Sequence, residues 1–158
     1  ITNWRSHAAA RLMAEDPAAM AEAFAGADLI YVSGGAFAIL LPRARGRLLK
    51  ALHRARLAGS RIALAPHEWP DQWTAHRVQG SAINAIAMVA DIVLTEADAE
   101  RSTFGNGDAE AIAARYQDWG VHEVLARDGL GAAYLVARAQ GASPEHAALA
   151  VSREAEAR

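Results

Sequence analysis

The sequence contains no cysteine, and this absence excludes disulfide bonds and cysteine-ligated zinc. It also lacks any apolar run that approaches the length of a membrane span, and it has no basic-apolar signal peptide at its start. Charge is nearly balanced, since the sequence has 16 Lys and Arg and 18 Asp and Glu, which gives a net charge of −2. Electrostatics therefore give no case for nucleic acid or a membrane as a partner, and cytoplasm is the default compartment.

Several enzyme motifs are missing as well. The six histidines are scattered, and no pair has the H-E-x-x-H spacing, so no dedicated zinc site is expected. Neither the G-x-G-x-x-G nor the G-x-x-x-x-G-K-[ST] fingerprint of nucleotide loops occurs. Gly34-Gly35 follows a predicted strand, where a tight turn is the favoured interpretation. Backbone contact with a ligand is the alternative for these two glycines.

The 158 residues are long enough for one domain with a real core, and we treat 1–158 as a single α/β domain. The first residue is Ile1 rather than methionine, and the chain continues directly into Trp4-Arg5. We therefore interpret the sequence as the interior and C-terminal part of a longer protein.

Strand and helix patterns alternate along the chain. Short apolar runs predict strands at Asp28–Ser33, Arg61–Leu64, Asp91–Leu94 and His122–Ala126. Caps and amphipathic spacing predict helices at His7–Glu15, Pro17–Ala25, Pro42–Ala58, Thr74–Val89, Glu96–Phe104, Asp108–Trp119, Leu130–Gln140 and Pro144–Ala157. This alternation predicts a three-layer αβα fold in which the four strands are parallel neighbours.

The segment Arg61–Trp73 is the first candidate site, because a buried strand opens there into a polar, aromatic-rich loop. The alternative is an ordinary loop whose tryptophans pack over the sheet edge. We expect Trp73 to be mostly buried and Trp69 to be more exposed.

Two further segments follow predicted strands. The segment Thr95–Glu100 places acidic residues in the first turn of a predicted helix, where Thr95 and Asp98 approximate a capping box. The alternative is that Glu96, Asp98 and Glu100 form a carboxylate cluster that holds Mg²⁺ through water near phosphates. Asp128 lies between the fourth strand and the next helix. It is either a helix N-cap or a general base beside a phosphate site.

Taken in order, these segments resemble the ribokinase-type (PfkB) carbohydrate kinases, and within them the 2-keto-3-deoxygluconate kinase type. The segments that carry the resemblance are Trp4-Arg5 with Ala8-Ala9, Ala27–Gly34, Pro70 with Trp73, Asp91–Glu100, Glu123–Gly129 and Ala132–Ala150. The likeness covers nearly the whole chain.

The resemblance implies ATP- and Mg²⁺-dependent phosphoryl transfer to a hydroxyl of a sugar acid, with the two substrates as small-molecule partners and a homo-oligomer possible. It implies Asp128 as the catalytic base, Asp98 for Mg²⁺, and Arg5 for the substrate carboxylate. The implied further substrate-binding residues are Gly34, His67 and Trp69, and the implied nucleotide-binding residues are Thr95, Arg127, Gly129 and Gly131.

The sequence also departs from the family pattern. Ala65, His67 and Trp69 stand where the family loop has Asp, Asn and Arg, and the family's N-terminal lid region is absent before Ile1. Asp128 matches either the aspartate of the family's G-A-G-D motif or its nucleotide-side K-D-G turn. We therefore expect the 158-residue chain itself not to turn over the sugar acid at a useful rate. The alternatives are a non-catalytic binding or scaffold module and an unrelated α/β enzyme.

Overall fold

Four parallel strands form one sheet in the computed structural model, which describes residues 12–67, 76–126 and 131–149, without the side chains of residues 76 and 77. The strands are β1 Leu29–Ser33, β2 Arg61–Ala65, β3 Ile92–Thr95 and β4 Glu123–Ala126. Their order in the sheet is β1-β2-β3-β4, and every neighbouring pair is parallel. The prediction of four neighbouring parallel strands is confirmed.

Seven helices are defined among the described residues: α1 Pro17–Phe24, α2 Gly34–Ala38, α3 Pro42–Leu57, α4 His76–Ala87, α5 Ala97–Phe104, α6 Ala109–Asp118 and α7 Gly131–Ala139. Residues 144–149 are also helical. Because each strand is followed by helical crossover segments, successive strands can run in the same direction.

Side-chain caps explain where two predicted helices begin. The carboxylate of Asp16 accepts hydrogen bonds from the amides of Ala18 and Ala19 at 2.9 and 3.1 Å, with Pro17 in the first turn. Asp108 caps α6 in the same way. These contacts satisfy amides that have no partner within the helix, and they confirm both predicted starts.

Two backbone segments differ from the sequence-based expectations. The chain does not turn at Gly34-Gly35, because it enters α2 directly, and the hydroxyl of Ser33 accepts a hydrogen bond from the amide of Ala36 at 3.1 Å. The described part of the helix predicted at His7–Glu15, residues 12–15, is a short 3₁₀-type turn. It stops there because Asp16 adopts the extended backbone of an N-cap.

The core lies on both faces of the sheet. On one face, strand residues such as Ile62 and Leu64 pack with Leu48 of α3, Ile86 of α4 and Ile112 of α6. On the other face, strand residues pack with α7 and the helical segment 144–149. The buried members of that second cluster are Ala63, Ile92, Tyr134 and Ala147. The three-layer αβα fold is therefore confirmed.

Gly34 lies where β1 and β2 end side by side. A Cβ placed on Gly34 would lie 1.8 Å from the carbonyl oxygen of Pro66, which is far inside van der Waals contact. Only glycine permits this approach. The close packing fixes the end of β1 against the chain that leaves β2.

Among the described residues, no helix combines the length and the apolar character needed to cross a bilayer.

The contact at Gly34 predicts opposite effects for two glycine-to-alanine substitutions. Gly34→Ala should lower the free energy of unfolding by about 1–3 kcal/mol or more, because the backbone of Pro66 has to move. Gly46→Ala is the control, since Gly46 lies inside α3 and its added Cβ meets nothing within 4 Å. It should raise the free energy of unfolding by roughly 0.5–1 kcal/mol. Urea denaturation measures both, and equal effects would contradict the packing argument.

Candidate functional site

The candidate site lies at the carboxyl ends of the strands, where open parallel sheets usually bind ligands. The sheet ends there at Ser33, Ala65 and Thr95, and the chain leaves β2 through Pro66 and His67. Loops from neighbouring strands therefore meet at one edge, which lets residues distant in sequence contact each other.

A buried carboxylate, Glu100 of α5, is the centre of this edge, with a side chain that has no exposed surface. Its Oε1 lies 2.8 Å from Nε2 of His67 and accepts hydrogen bonds from the hydroxyls of Thr95 and Tyr116, both at 2.7 Å. Its Oε2 accepts a hydrogen bond from Nη1 of Arg115 at 2.5 Å. We call these five residues the Glu100 cluster.

The Glu100 cluster joins four parts of the fold. His67 follows β2, Thr95 is the last residue of β3, Glu100 lies in α5, and Arg115 and Tyr116 lie in α6. His67 and Glu100 are 33 positions apart in the sequence, so their contact forms only when the sheet has brought β2 and β3 side by side. The cluster consequently connects the loop after β2 to both the neighbouring strand and the helices behind it.

The donors determine the ionisation of the central carboxylate. Burial on its own would raise the pKa of Glu100, but hydrogen bonds from His67, Tyr116 and Thr95 outweigh it, so that the pKa lies below its ordinary value. The pKa of Tyr116 is raised by its own burial and then by the negative charge of Glu100. The carboxylate is therefore the charged member, and Arg115 supplies the compensating positive charge.

Aromatic rings enclose one side of the cluster. The ring of Phe104 meets those of His67 and Trp119 edge to face, with centroids 6.3 and 5.7 Å apart. The guanidinium of Arg115 lies 4.5 Å from the centroid of Phe104, in a cation–π arrangement. These rings exclude water from the charged groups and strengthen their interaction.

The structure brings together some of the residues singled out from the sequence. His67 and Thr95 share one oxygen of Glu100, and Gly34 packs against Pro66 at the same edge. Gly131 begins α7 and lies against the side chain of Leu94 in β3. The predicted ligand roles of these residues stay predictions.

The other candidates lie apart or outside the described residues. Asp98 is in the first turn of α5, but its side chain is 94% exposed and pairs with Arg101 at 2.5 Å. The carboxylate cluster suggested for Mg²⁺ is not formed, since no group of three His, Asp or Glu side chains within the described ranges could hold a metal ion and Glu100 is buried against Arg115. The role of Asp98 toward Mg²⁺ stays a prediction, and it rests on one exposed carboxylate acting beside substrate phosphates. Residues outside the described ranges are Arg5, Trp69, Trp73, Arg127, Asp128 and Gly129.

The capping box suggested by Thr95 and Asp98 is wrong. The N-cap of α5 is Glu96, which makes no side-chain cap hydrogen bond, and the hydroxyl of Thr95 donates to Glu100 instead. The hydrogen bond that the hydroxyl of Thr95 donates to the ionised carboxylate is charge-assisted. It is therefore stronger than the neutral hydrogen bond that this hydroxyl could accept from a helix amide.

Sequence reasoning missed Arg115 and Tyr116, and it placed Glu100 only among the acidic residues of Thr95–Glu100, not in a buried ion pair. One sequence signal could have found Tyr116, which follows Ile112 by four positions on the buried face of an amphipathic helix. A buried hydroxyl needs a partner, and this requirement points to a polar group facing α6.

A separate groove lies away from the Glu100 cluster. It has a volume of about 600 Å³ and lies between α1 and α3, with Met20 and Phe24 on one wall and Lys50 and Arg54 on the other. Gly59, just before β2, also lines it. The groove is therefore at the amino ends of the strands, opposite the Glu100 cluster.

The lowered pKa of Glu100 predicts an acid-dependent contribution to stability. Because the folded-state pKa is below the unfolded value, the contribution is present above about pH 4.5 and is lost as pH falls through the folded pKa. Glu100→Gln should lower the free energy of unfolding by on the order of 3 kcal/mol at neutral pH, since Arg115 loses its partner. The difference from wild type should shrink in acid.

Urea denaturation from about pH 7 down to about pH 3 measures this dependence. Asp98→Asn is the control, because that carboxylate lies in the same helix and is exposed, so the substitution should change stability little at any pH. A stability difference between wild type and Glu100→Gln that is the same at every pH would contradict an ionised Glu100.

Two curated relatives of this chain carry the same enzyme name. No family model matches the sequence. The 2-dehydro-3-deoxygluconokinase of Escherichia coli is 31% identical over 128 residues, and that of Dickeya dadantii is 30% identical over 131 residues. These matches cover 80% and 82% of this chain, but only 41% and 42% of the two kinases.

A solved structure shares the fold of this chain. The crystal structure of a PfkB protein from Polaromonas sp. JS666 superposes with a TM-score of 0.72, covering 86% of this chain and 53% of that chain at 20% identity. At that identity the match supports the fold alone, whereas the sequence relatives carry the kinase name. The chain belongs to the PfkB family of carbohydrate kinases, with sequence relatives among the 2-dehydro-3-deoxygluconokinases, of whose length it spans about two fifths.

Proposed function

We propose that the protein is a sugar kinase of the 2-dehydro-3-deoxygluconokinase type (2-keto-3-deoxygluconate is the same sugar acid), acting with ATP and Mg²⁺ in the cytoplasm. The observation that carries the proposal is the match to two such kinases over about four fifths of this chain. The position of the Glu100 cluster at the carboxyl edge of the sheet supports it, because open parallel α/β sheets usually bind ligands at that edge.

The proposed reaction is transfer of the γ-phosphoryl group of ATP to a hydroxyl of the sugar acid. The hydroxyl oxygen forms a bond to the γ-phosphorus, the bond to the bridging β–γ oxygen breaks, ADP leaves, and the hydroxyl proton passes to Asp128. Catalysis of this kind depends mainly on positioning and on stabilisation of charge. Bound Mg²⁺ would neutralise charge on the phosphates, with Asp98 as its proposed protein partner through water.

The remaining proposed roles are those that the family resemblance implies. Arg5 is the proposed partner of the substrate carboxylate, for which a guanidinium fork is well suited. The further proposed contacts are Gly34, His67 and Trp69 for the sugar acid, and Thr95, Arg127, Gly129 and Gly131 for the nucleotide. Three described members of these two groups support a shared site, since Gly34 packs against Pro66 and both His67 and Thr95 contact Glu100.

A kinase assay tests the proposal. The product of the native gene, at a mass verified by mass spectrometry, should release ADP with ATP and Mg²⁺ only when 2-keto-3-deoxygluconate is present. Asp128→Asn should reduce kcat by about 10²–10⁴-fold, since it removes the proposed general base. Asp108→Asn is the control, because asparagine caps a helix nearly as well as aspartate, and it should keep wild-type activity.

A sample that consists of the 158 residues alone should not turn over usefully. It spans 41% of the length of its relatives, so much of the positioning that a kinase needs is carried by other residues. Rapid turnover by that sample would mean that the catalytic groups are misassigned. If the native gene product binds neither ATP nor the sugar acid while folded, a non-catalytic binding module becomes the better description. The replaced loop residues Ala65, His67 and Trp69 favour that alternative.

A further inference from the structure

His67 has polar neighbours at both ring nitrogens, although its side chain is only 6% exposed. Nε2 lies 2.8 Å from Oε1 of Glu100. Nδ1 lies 3.4 Å from the side-chain nitrogen Nε2 of Gln79 and 3.5 Å from the hydroxyl oxygen of Thr103. The ring is therefore held between a strong acceptor on one side and two weaker donors on the other.

The charge on Glu100 determines which nitrogen carries the proton. An ionised carboxylate can only accept, so Nε2 of His67 must donate to it. The amide of Gln79 and the hydroxyl of Thr103 can both donate to Nδ1, which suits a nitrogen with a free lone pair. The contacts on both sides agree on one neutral tautomer, with the proton on Nε2.

The same carboxylate oxygen also holds the end of the next strand. Oε1 of Glu100 accepts from Thr95, the last residue of β3, as well as facing His67 after β2. Pro66, the residue before His67, presses against Gly34 of α2. The beginning of the loop after β2 is thereby fixed relative to the ends of both β1 and β3.

We propose that Glu100 is a positioning residue, which holds His67 as the Nε2–H tautomer and so fixes the chain that leaves β2, as far as His67, relative to Thr95. The inference rests on the proposed function in one respect. If His67 contacts the sugar acid and Thr95 contacts the nucleotide, as proposed above, Glu100 determines the distance between the two substrates. It would do so without touching either one.

The chain offers a matched control for Glu100 in Glu123. Glu123 is also a mostly buried carboxylate, 15% exposed, which accepts hydrogen bonds from Tyr134 at 2.9 Å and from Nε of Arg138 at 2.8 Å. Its pKa is lowered too, since the hydrogen bond from Arg138 outweighs the effect of burial. It begins β4 at the opposite end of the sheet, next to the other core cluster.

Nuclear magnetic resonance of the wild type, Glu100→Gln and Glu123→Gln tests the proposal. Ring-nitrogen shifts of His67 should show a protonated Nε2 and an unprotonated Nδ1 in the wild type and in Glu123→Gln. In Glu100→Gln the side-chain amide can donate to Nε2, so the proton should move wholly or partly to Nδ1. Backbone resonances of 68–75 and the indole signals of Trp69 and Trp73 should shift in Glu100→Gln alone.

A second variant covers the case in which Glu100→Gln does not fold. Thr95→Val removes the tie to β3 and leaves the carboxylate in place. It should shift the resonances of 68–75 without changing the tautomer of His67. Unchanged resonances in Thr95→Val, a wild-type His67 protonated on Nδ1, or equal shifts in Glu100→Gln and Glu123→Gln would each overturn the proposal.

Titration with 2-keto-3-deoxygluconate separates this inference from the proposed function. In the native gene product, the Kd for the sugar acid should rise about tenfold or more in Glu100→Gln and stay within about twofold in Glu123→Gln. If the wild type does not bind the sugar acid but His67 responds as described, the proposed function fails and the positioning role stands. If the wild type binds and Glu100→Gln binds equally well, the positioning role fails and the proposed function stands.

Discussion

One buried carboxylate holds together the carboxyl edge of the sheet. Glu100 has no exposed surface, yet four donors and a cation–π pair surround it. A charge in such a position is tolerated only when it is paired and fully hydrogen-bonded, since desolvation otherwise costs several kcal/mol. The donors come from the loop after β2, from β3 and from α6, so all of these elements have to be in place together.

The Glu100 cluster and the contact at Gly34 act on the same few residues. Pro66 meets Gly34 through backbone atoms, and His67, the next residue, meets Glu100 through its ring. One contact is steric and the other is electrostatic, but both restrain the chain as it leaves β2. The first residues of the loop after β2 are therefore held from two sides.

The strands and most helix starts could be predicted from the sequence because their signals are local. Four apolar runs gave the sheet, and Asp16 and Asp108 marked helix starts through contacts with residues two and three positions on. The expectation of a turn at Gly34-Gly35 was wrong, because α2 begins there and Gly34 is needed for its close approach to Pro66. Gly34 and Pro66 are 32 positions apart in the sequence, so no local sequence pattern predicts their contact.

The candidate site was predictable in part for the same reason. His67 and Thr95 were singled out because each follows a predicted strand, and parallel strands bring such residues to one edge. Glu100 could not be distinguished from the exposed acidic residues of its helix, since Asp98 and Glu100 look alike in sequence. Their burial differs because Arg115 and Tyr116 approach only one of them, from a helix that starts after a glycine-containing connection.

Hydrogen–deuterium exchange with both substrates bound tests the central claim, that the carboxyl edge around the Glu100 cluster is where this PfkB-family chain meets its ligands. The native gene product would be compared alone and with 2-keto-3-deoxygluconate, Mg²⁺ and a non-hydrolysable ATP analogue. The account predicts added protection in peptides that contain residues 65–75 and 95–100, and none in the α1–α3 groove. Protection confined to that groove, around Met20 and Lys50, would contradict it.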